Sequence, residues 1–293
     1  MPLVTAEDFD AATRVDGADG RYRARLSPAW AVWGPMGGYV AAIALRALAR
    51  LSSHRRPATF ACQFVRPARF DDVDIEVESV RAGRRSEALR ATVRQDGAPV
   101  LTASSWFVGE GLEGLEHVEA RAPVVPAPEA LRSFAELAED YGAWYPFWRH
   151  VEGRPVRWSR EPGPARWHTW MRLASPAPAD PVLDAARAVL WADLIPWNAA
   201  ASRHAWPRRW IAPNLDLTVQ FHGASAGEDW ILCDGESPVA AAGLVGTAGR
   251  LWTRDGRLVA SGSAQLFCVP NPRYEEELAQ HRRVEAALRG ARA

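Results

Sequence analysis

Hydrophobic and polar positions follow two different periods along the chain. Residues 21–26 alternate as a strand does, and residues 39–51 are apolar on almost every side, with Arg46 and Arg50 as the only charges. A helix that is apolar all round is buried rather than one-sided. Runs typical of strands follow it at 59–66, 73–81, 87–95 and 99–108, and Asp96-Gly97 predicts a hairpin turn between the last two. This order predicts an antiparallel sheet wrapped around one buried helix.

The same order returns in the second half of the chain. Residues 165–173 predict a strand and residues 181–204 a helix, and further strands are predicted at 212–222, 229–237, 240–254 and 257–269. Phe221 follows Phe64 by 157 residues, and Gly256 follows Gly97 by 159. Nearly constant spacing over several segments favours duplication of one domain, although chance similarity between turns is an alternative.

The length of 293 residues fits two domains. We expect an N-terminal domain at 1–110, a linker with a short helix (129–141) at 111–160, a C-terminal domain at 161–272 and a C-terminal helix at 273–293. The apolar runs are too short for a membrane span. The first residues lack the basic and apolar regions of a signal peptide, so we expect a cytoplasmic protein.

Composition excludes several kinds of chemistry. All 35 basic residues are Arg, which excludes a lysine Schiff base, a pyridoxal phosphate enzyme and a Walker A phosphate loop. The net charge of zero predicts no nucleic-acid partner. Cys62, Cys233 and Cys268 are too few and too widely spaced for a disulfide framework or a zinc site, so buried thiols are expected. We expect no metal and no cofactor.

Five segments together resemble a known family. They are 33–41 (WGPMGGYVA), 64–67 (FVRP), 191–194 (WADL), 215–222 (LDLTVQFH) and 255–261 (DGRLVAS). In this order and spacing the chain resembles the double-hotdog acyl-CoA thioesterases of the thioesterase II type. The resemblance implies an α+β fold of tandem hotdogs, two antiparallel sheets each wrapped around a buried central helix. We expect the two domains to be fused and to share one extended antiparallel sheet. It also implies hydrolysis of acyl-CoA, or of a related acyl-carrier thioester, by a water molecule that an Asp orients, without a covalent intermediate.

In that family an Asp on the second helix, a Ser or Thr on the next strand and a Gln on the last strand hold the water. Asp193 matches the Asp. The internal spacing relates it to residue 36, and Pro196 is tolerated in a first helical turn, so we expect Asp193 at the start of a helix. A plain N-cap without catalysis is the alternative interpretation.

The other two positions depart from the family pattern. Asn214 stands where Ser or Thr is usual, and Thr218 shares its strand face and could substitute for it. Gln265 is the candidate for the Gln, but it comes one residue late, which places a strand side chain on the wrong face. A β-bulge at Gly262 would restore its orientation; without one, Gln265 is an ordinary strand residue.

Candidate substrate-binding residues lie near Asp193. Gly37 and Gly38 allow close backbone approach at a helix start, either for the substrate or for packing of the helix. Trp191 and Trp197 belong to a group of tryptophans that could line an acyl pocket or fill the core. The others in this group are Trp144, Trp148, Trp206 and Trp210.

Rival functions remain open from the sequence. The first is an acyl-binding protein without activity, and the second is a hotdog hydratase that would need Asp193 paired with His204. A serine hydrolase is suggested only by the G-x-S-x-G pattern at 223–227, which lies between strands and is better explained as a hairpin loop. Exposed sheet edges favour a homo-oligomer.

Overall fold

The computed structural model describes residues 7–137, 145–225 and 227–290. The elements of the first half are α1 (Phe9–Ala12), β1 (Asp16–Ala18), β2 (Arg21–Arg25), α2 (Gly37–Leu51), β3 (Arg56–Phe64), β4 (Asp72–Arg81), β5 (Ser86–Gln95) and β6 (Ala98–Val108). Each element predicted for this half is found within a few residues of its expected bounds. Asp96 and Gly97 both have positive φ, 50° and 76°, as the tight hairpin turn between β5 and β6 requires.

The second half repeats this order with additions. Its elements are α3 (Phe134–Leu137), β7 (Val151–Pro155), β8 (Arg166–Leu173), α4 (Pro181–Ala201), β9 (Trp210–Ile211), β10 (Asp216–Phe221), β11 (Ile231–Ala241), β12 (Leu244–Trp252), β13 (Leu258–Phe267), β14 (Val269–Pro270) and α5 (Tyr274–Gly290). Single 3₁₀ turns lie at Pro28–Trp30, Pro128–Ala130 and Pro146–Arg149. The helix predicted at 129–141 is reduced to one of these turns and α3, and residues 138–141 lie outside the described part. Strand β7 lies in the segment that we assign to the linker.

Twelve of the described strands form one antiparallel sheet in the order β1-β2-β4-β5-β6-β3-β10-β13-β12-β11-β8-β7, while β9 and β14 pair separately. The halves meet where β3 pairs with β10, with Cys62 opposite Leu217 and Phe60 opposite Val219. In this pairing each strand satisfies the backbone groups that the other would expose at a sheet edge. The sheets of the two halves are therefore joined into one extended antiparallel sheet, as expected for fused domains that share a sheet.

Helices α2 and α4, the central helices of the two halves, pack against this sheet and against each other. Alternation in β4 buries Val73, Ile75 and Val77 beneath α2 and leaves the residues between them exposed. Every residue of α2 from Gly38 to Leu45 is buried, as its apolar sequence predicts. One hydrophobic core spans both halves as a result. Among the described helices, none is both long and apolar enough to cross a membrane.

The segment after β6 covers the outer face of the second half. Trp170, Leu232 and Trp252 form a small cluster there, separate from the main core, and Leu131 packs on it. The indole nitrogen of Trp170 donates a hydrogen bond to the carbonyl oxygen of Pro126 at 2.9 Å. The linker is therefore fixed to the body of the protein along this stretch.

Candidate active site

The start of α2 lies directly against the middle of α4. A Cβ atom placed on Gly38 would be 2.7 Å from the Cβ of Asp193 and 3.1 Å from the Cα of Leu190. Real Cβ atoms do not approach other atoms so closely, so this contact requires glycine at position 38. The packing explanation of Gly38 is therefore correct, and the same contact presents its N–H to Asp193.

The structure corrects the expected place of Asp193. It lies within the continuous helix α4, which begins after its N-cap Asp180 and contains Pro196 in its interior. Pro196 is thus in the interior of the helix and not in a first turn. Because proline has no backbone N–H, α4 has one helical hydrogen bond fewer at this position. The helix start beside Asp193 is that of α2, contributed by the other half of the chain.

Two hydrogen bonds hold the Asp193 carboxylate. The Gly38 N–H donates to Oδ2 at 2.5 Å, and the Asn214 Nδ2 donates to Oδ1 at 2.6 Å. The same Nδ2 lies 3.2 Å from the Asp193 carbonyl oxygen. Burial raises the pKa of Asp193 to about 6, and the hydrogen bonds from Asn214 and Gly38 only partly offset that effect.

A β-bulge brings Asn214 to this carboxylate. Asn214 bridges Leu266, whereas Thr218 pairs with Ser263, so β10 carries one more residue than β13 between these two points. Because of the extra residue, Asn214 lies on the helix side of the sheet with Leu217, and not on the face of Thr218. In the described residues, the Asn214 Oδ1 atom is buried and has no hydrogen-bond partner.

Thr218 and Gln265 do not join the site. Thr218 is exposed between the buried Leu217 and Val219, so it lies on the opposite face of the sheet from α4. Strand β13 pairs with β12 without a break from Ala260 to Phe267, so Gly262 forms no bulge. Gln265 is therefore an ordinary strand residue on the outer face, and its backbone N–H donates to Asp216 Oδ1 at 2.8 Å.

A cavity of about 660 Å³ opens beside Asp193 and Asn214. Gly37 lines it, at the first position of α2, where backbone N–H groups have no partner within the helix. A Cβ atom on Gly37 would lie 3.1 and 3.2 Å from the two carboxylate oxygens of Asp193. A chemical group in this part of the cavity can therefore contact both a helix start and the carboxylate.

The tryptophans divide between cavity and core. Trp197 lines the cavity and packs edge-on against Trp33, with ring centroids 6.1 Å apart. Trp191 is fully buried and belongs to the hydrophobic core, which corrects its assignment to substrate binding. Of the other candidates, Trp148 and Trp206 line the cavity, Trp210 is half-exposed elsewhere, and Trp144 lies outside the described residues.

Three segments that line the cavity were not among the residues predicted from the sequence. They come from the loop at 32–36, the residues at 64–68 after β3, and the stretch from Asn271 to Glu277 at the start of the C-terminal helix. The first two overlap segments that carry the family resemblance, and this was the available signal. The polar sequence of the third stretch gives no sign that it borders a cavity.

Neither of the sequence patterns for other chemistry forms a site. Ser225 of the G-x-S-x-G pattern is buried, and its hydroxyl donates to Asp184 Oδ1 at 2.8 Å. Asp184 also pairs with Arg187 at 2.7 Å, so Ser225 belongs to a buried structural network. His204 is exposed beyond the end of α4 and is not among the hydrogen-bond partners of Asp193, so the pair that a hydratase needs is not formed.

Comparison with known proteins identifies the family of the chain. Residues 26–108 match the acyl-CoA thioesterase N-terminal domain, and residues 119–269 match the acyl-CoA thioesterase C-terminal domain. No curated protein matches the sequence.

Similar solved structures include the tesB protein of Mycobacterium avium subsp. paratuberculosis, at 28% identity and a TM-score of 0.74, covering 89% of this chain and 98% of that one. A conserved hot dog fold protein of unknown function from Alicyclobacillus acidocaldarius has 25% identity and a TM-score of 0.77, covering 90% and 98%. The acyl-CoA thioesterase II TesB2 of Mycobacterium marinum shares the fold at 22% identity and a TM-score of 0.75, covering 90% and 99%. The chain belongs to the acyl-CoA thioesterase family and has its hotdog fold.

Proposed function

We propose that the protein hydrolyses acyl-CoA thioesters through a water molecule held between the Asp193 carboxylate and the Asn214 amide oxygen, without a covalent intermediate. The observation that carries this mechanism is the buried Asn214 Oδ1, which has no partner among the described residues and lies next to a buried carboxylate. Buried polar atoms are normally satisfied, so an unmatched acceptor in a cavity wall indicates a place for a donor such as water.

The orientation of the amide follows from the chemistry of its partner. An ionised carboxylate only accepts hydrogen bonds, so the NH₂ group of Asn214 faces Asp193 and the amide oxygen faces away. A water that donates one hydrogen to each residue directs its lone pair toward the cavity. Asn214 therefore does for the water what the hydroxyl of the family does, although it accepts where a hydroxyl can also donate.

The reaction then requires two proton transfers, and a carbon–oxygen bond replaces the carbon–sulfur bond. The water oxygen bonds to the thioester carbon while Asp193 takes a proton from it. The N–H of Gly37, at the positive end of α2, stabilises the charge that develops on the carbonyl oxygen. The carbon–sulfur bond breaks, and the leaving CoA thiolate takes the proton that Asp193 accepted, which regenerates the base, because a thiol has a pKa of about 8.5, above that of Asp193.

We also propose that the halves are tandem hotdog domains with the boundaries 1–110, 111–160, 161–272 and 273–293 for the two domains, the linker and the terminal helix. Support for two domains comes from the repeated order of elements around α2 and α4 and from the separate matches at 26–108 and 119–269, the second of which also includes most of the linker. A cytoplasmic location, self-association and action on carrier-bound acyl groups stay predictions.

The mechanism is tested by Asp193→Asn. The amide oxygen of Asn still accepts the Gly38 N–H, so the fold is retained, but the base is lost. We expect kcat to fall by about 10³-fold while KM changes little. Release of the CoA thiol from short, long and aromatic acyl-CoAs, followed with a disulfide reagent, measures both parameters.

Two control variants change residues on strands β10 and β13 whose side chains lie outside the site. Thr218→Val and Gln265→Leu change the outer face of the sheet, so kcat should stay within about twofold of wild type. An Asp193→Asn variant with unchanged turnover would place the chemistry elsewhere. A wild-type protein that binds every acyl-CoA and hydrolyses none would support the acyl-binding alternative instead.

A further inference from the structure

One wall of the cavity carries a charge that the proposed mechanism does not use. Arg208 lines the cavity after the end of α4, and its Nε donates to the carbonyl oxygen of Ala201 at 2.9 Å. Ala201 is the last residue of α4 and lies eight residues beyond Asp193. At the rise of an α-helix this separation is about 12 Å along the helix axis.

Among the described residues, none contacts the outer nitrogens of Arg208 as a hydrogen-bond or ion-pair partner. Within the part of the chain that the structure describes, they make no hydrogen bond, and no carboxylate lies within ion-pair distance. The nearby Arg273 differs, because its Nε contacts Glu276 at 3.2 Å. Glu277 lines the same wall, but one of its oxygens accepts from Asn271 Nδ2 at 3.2 Å.

Burial makes this unpaired charge costly. Arg208 is half-buried, and burial lowers its pKa, an effect that Glu277 opposes from a distance. A guanidinium keeps its charge in proteins, so the cost of poor solvation persists until an anion pairs with it. Arginine binds carboxylates and phosphates through two parallel N–H groups, and both outer nitrogens are available for this here.

We infer that Arg208 binds an anionic group of the thioester ligand, either a phosphate of CoA or a carboxylate at the far end of the acyl chain, about 12 Å along α4 from Asp193. The inference rests on the proposed function in one respect, since it takes the ligand in this cavity to be a thioester whose carbonyl lies at Asp193. It adds a specificity-determining residue to that site.

Binding of thioether analogues tests the inference without hydrolysis. Three ligands separate the sources of the anion: S-octyl-CoA, S-octyl-pantetheine, and an S-alkyl-pantetheine of similar length whose chain ends in a carboxylate. Dissociation constants are measured by calorimetry for the wild type, Arg208→Gln and Arg208→Lys. Arg209→Gln is the matched control, because it removes one charge from an exposed neighbour in the chain.

We expect Arg208→Gln to raise the Kd by at least about tenfold for one or both of the charged ligands, and to leave S-octyl-pantetheine within about twofold of wild type. Arg208→Lys should recover only part of the affinity, because its ammonium restores the charge without the two parallel N–H groups. A loss confined to S-octyl-CoA identifies a phosphate, and a loss confined to the carboxylate-ended ligand identifies an acyl carboxylate.

An equal loss for all three ligands would overturn the inference, because it would assign Arg208 only to holding the end of α4. No loss relative to Arg209→Gln, or no binding to the wild type, would also overturn it. Because the analogues have no thioester to hydrolyse, these results are independent of whether Asp193 activates water.

Discussion

The N-termini of α2 and α4 are capped differently, and only that of α2 belongs to the candidate active site. The start of α4 is closed by its own N-cap, since Asp180 Oδ1 accepts from the N–H groups of Val182 and Leu183, both at 2.9 Å. The start of α2 has Met36 as its N-cap, and this side chain makes no capping hydrogen bond. Its donor at Gly38 is satisfied by Asp193 from the other helix.

This difference shows how a capping interaction becomes available for chemistry. A cap from the preceding residue is local and serves the helix alone. A cap from a second helix brings a carboxylate into the packed interface of the two helices, where burial raises its pKa to about 6. Near the start of α4 a second cavity, of about 420 Å³, is lined by side chains of both charges, among them Arg46, Arg50 and Asp180.

Gly38→Ala gives the largest expected effect at the α2 end. The added methyl group would lie 2.7 Å from the Asp193 Cβ, so the helices must separate and the hydrogen bond at Oδ2 must lengthen. We expect the free energy of unfolding to fall by about 1–3 kcal/mol and kcat to fall by about 100-fold, because the carboxylate moves from its place. Denaturant titration and thiol release measure the two effects.

Gly223→Ala is the control for this substitution. The nearest atom to a Cβ there is the Leu258 carbonyl oxygen at 4.0 Å, so a methyl group fits. Stability and turnover should stay close to wild type. A Gly38→Ala protein with full activity would show that the contact between the helix start and Asp193 has no part in catalysis.

The helices and strands could be predicted from the sequence because the patterns that indicate them are local. The apolar run of α2, the alternation of β4 and the Asp96-Gly97 turn each reflect a preference of consecutive residues. The contact that makes the site is not local, since Gly38 and Asp193 are brought together only when the two halves pack. Spacing alone placed Asp193 at the start of its own helix, whereas it meets the start of the other one.

A register difference of one residue determines which of the predicted site residues lie beside Asp193. The bulge before β10 brings Asn214 to Asp193 and leaves Thr218 on the outer face. The regular pairing of β13 leaves Gln265 outside as well. A bulge depends on the backbone hydrogen bonds between two strands, and the side-chain pattern of one strand does not record it.

The raised pKa of Asp193 predicts how both activity and stability change with pH. A base must be ionised, so kcat/KM should rise with pH and reach half its maximum near pH 6, following the raised pKa of about 6. Between its ordinary value of 3.8 and about 6, the folded protein binds a proton that the unfolded chain has released, so stability falls as pH rises. At neutral pH the Asp193 carboxylate should lower the free energy of unfolding of the wild type by up to about 3 kcal/mol.

Asp193→Asn removes that titration and is the comparison for it. Its free energy of unfolding relative to wild type should increase between pH 4 and pH 7, while its activity stays low throughout. Chemical denaturation at several pH values measures the difference. A difference that does not vary with pH would mean that the Asp193 pKa is the same in the folded and unfolded states.

Asp180→Ala tests the start of α4 and should have the smallest effect on stability and turnover. It removes the two hydrogen bonds to Val182 and Leu183 and a surface ion pair with Arg55. Loss of an N-cap costs about 0.5–2 kcal/mol of stability, and the exposed ion pair contributes little. Turnover should be unchanged, because this cap does not touch the cavity beside Asp193. Denaturant titration and thiol release on the same preparation compare both effects. A fall in kcat as large as that of Asp193→Asn would mean that the two helix starts act together, and that the division between a structural cap and a catalytic one is wrong.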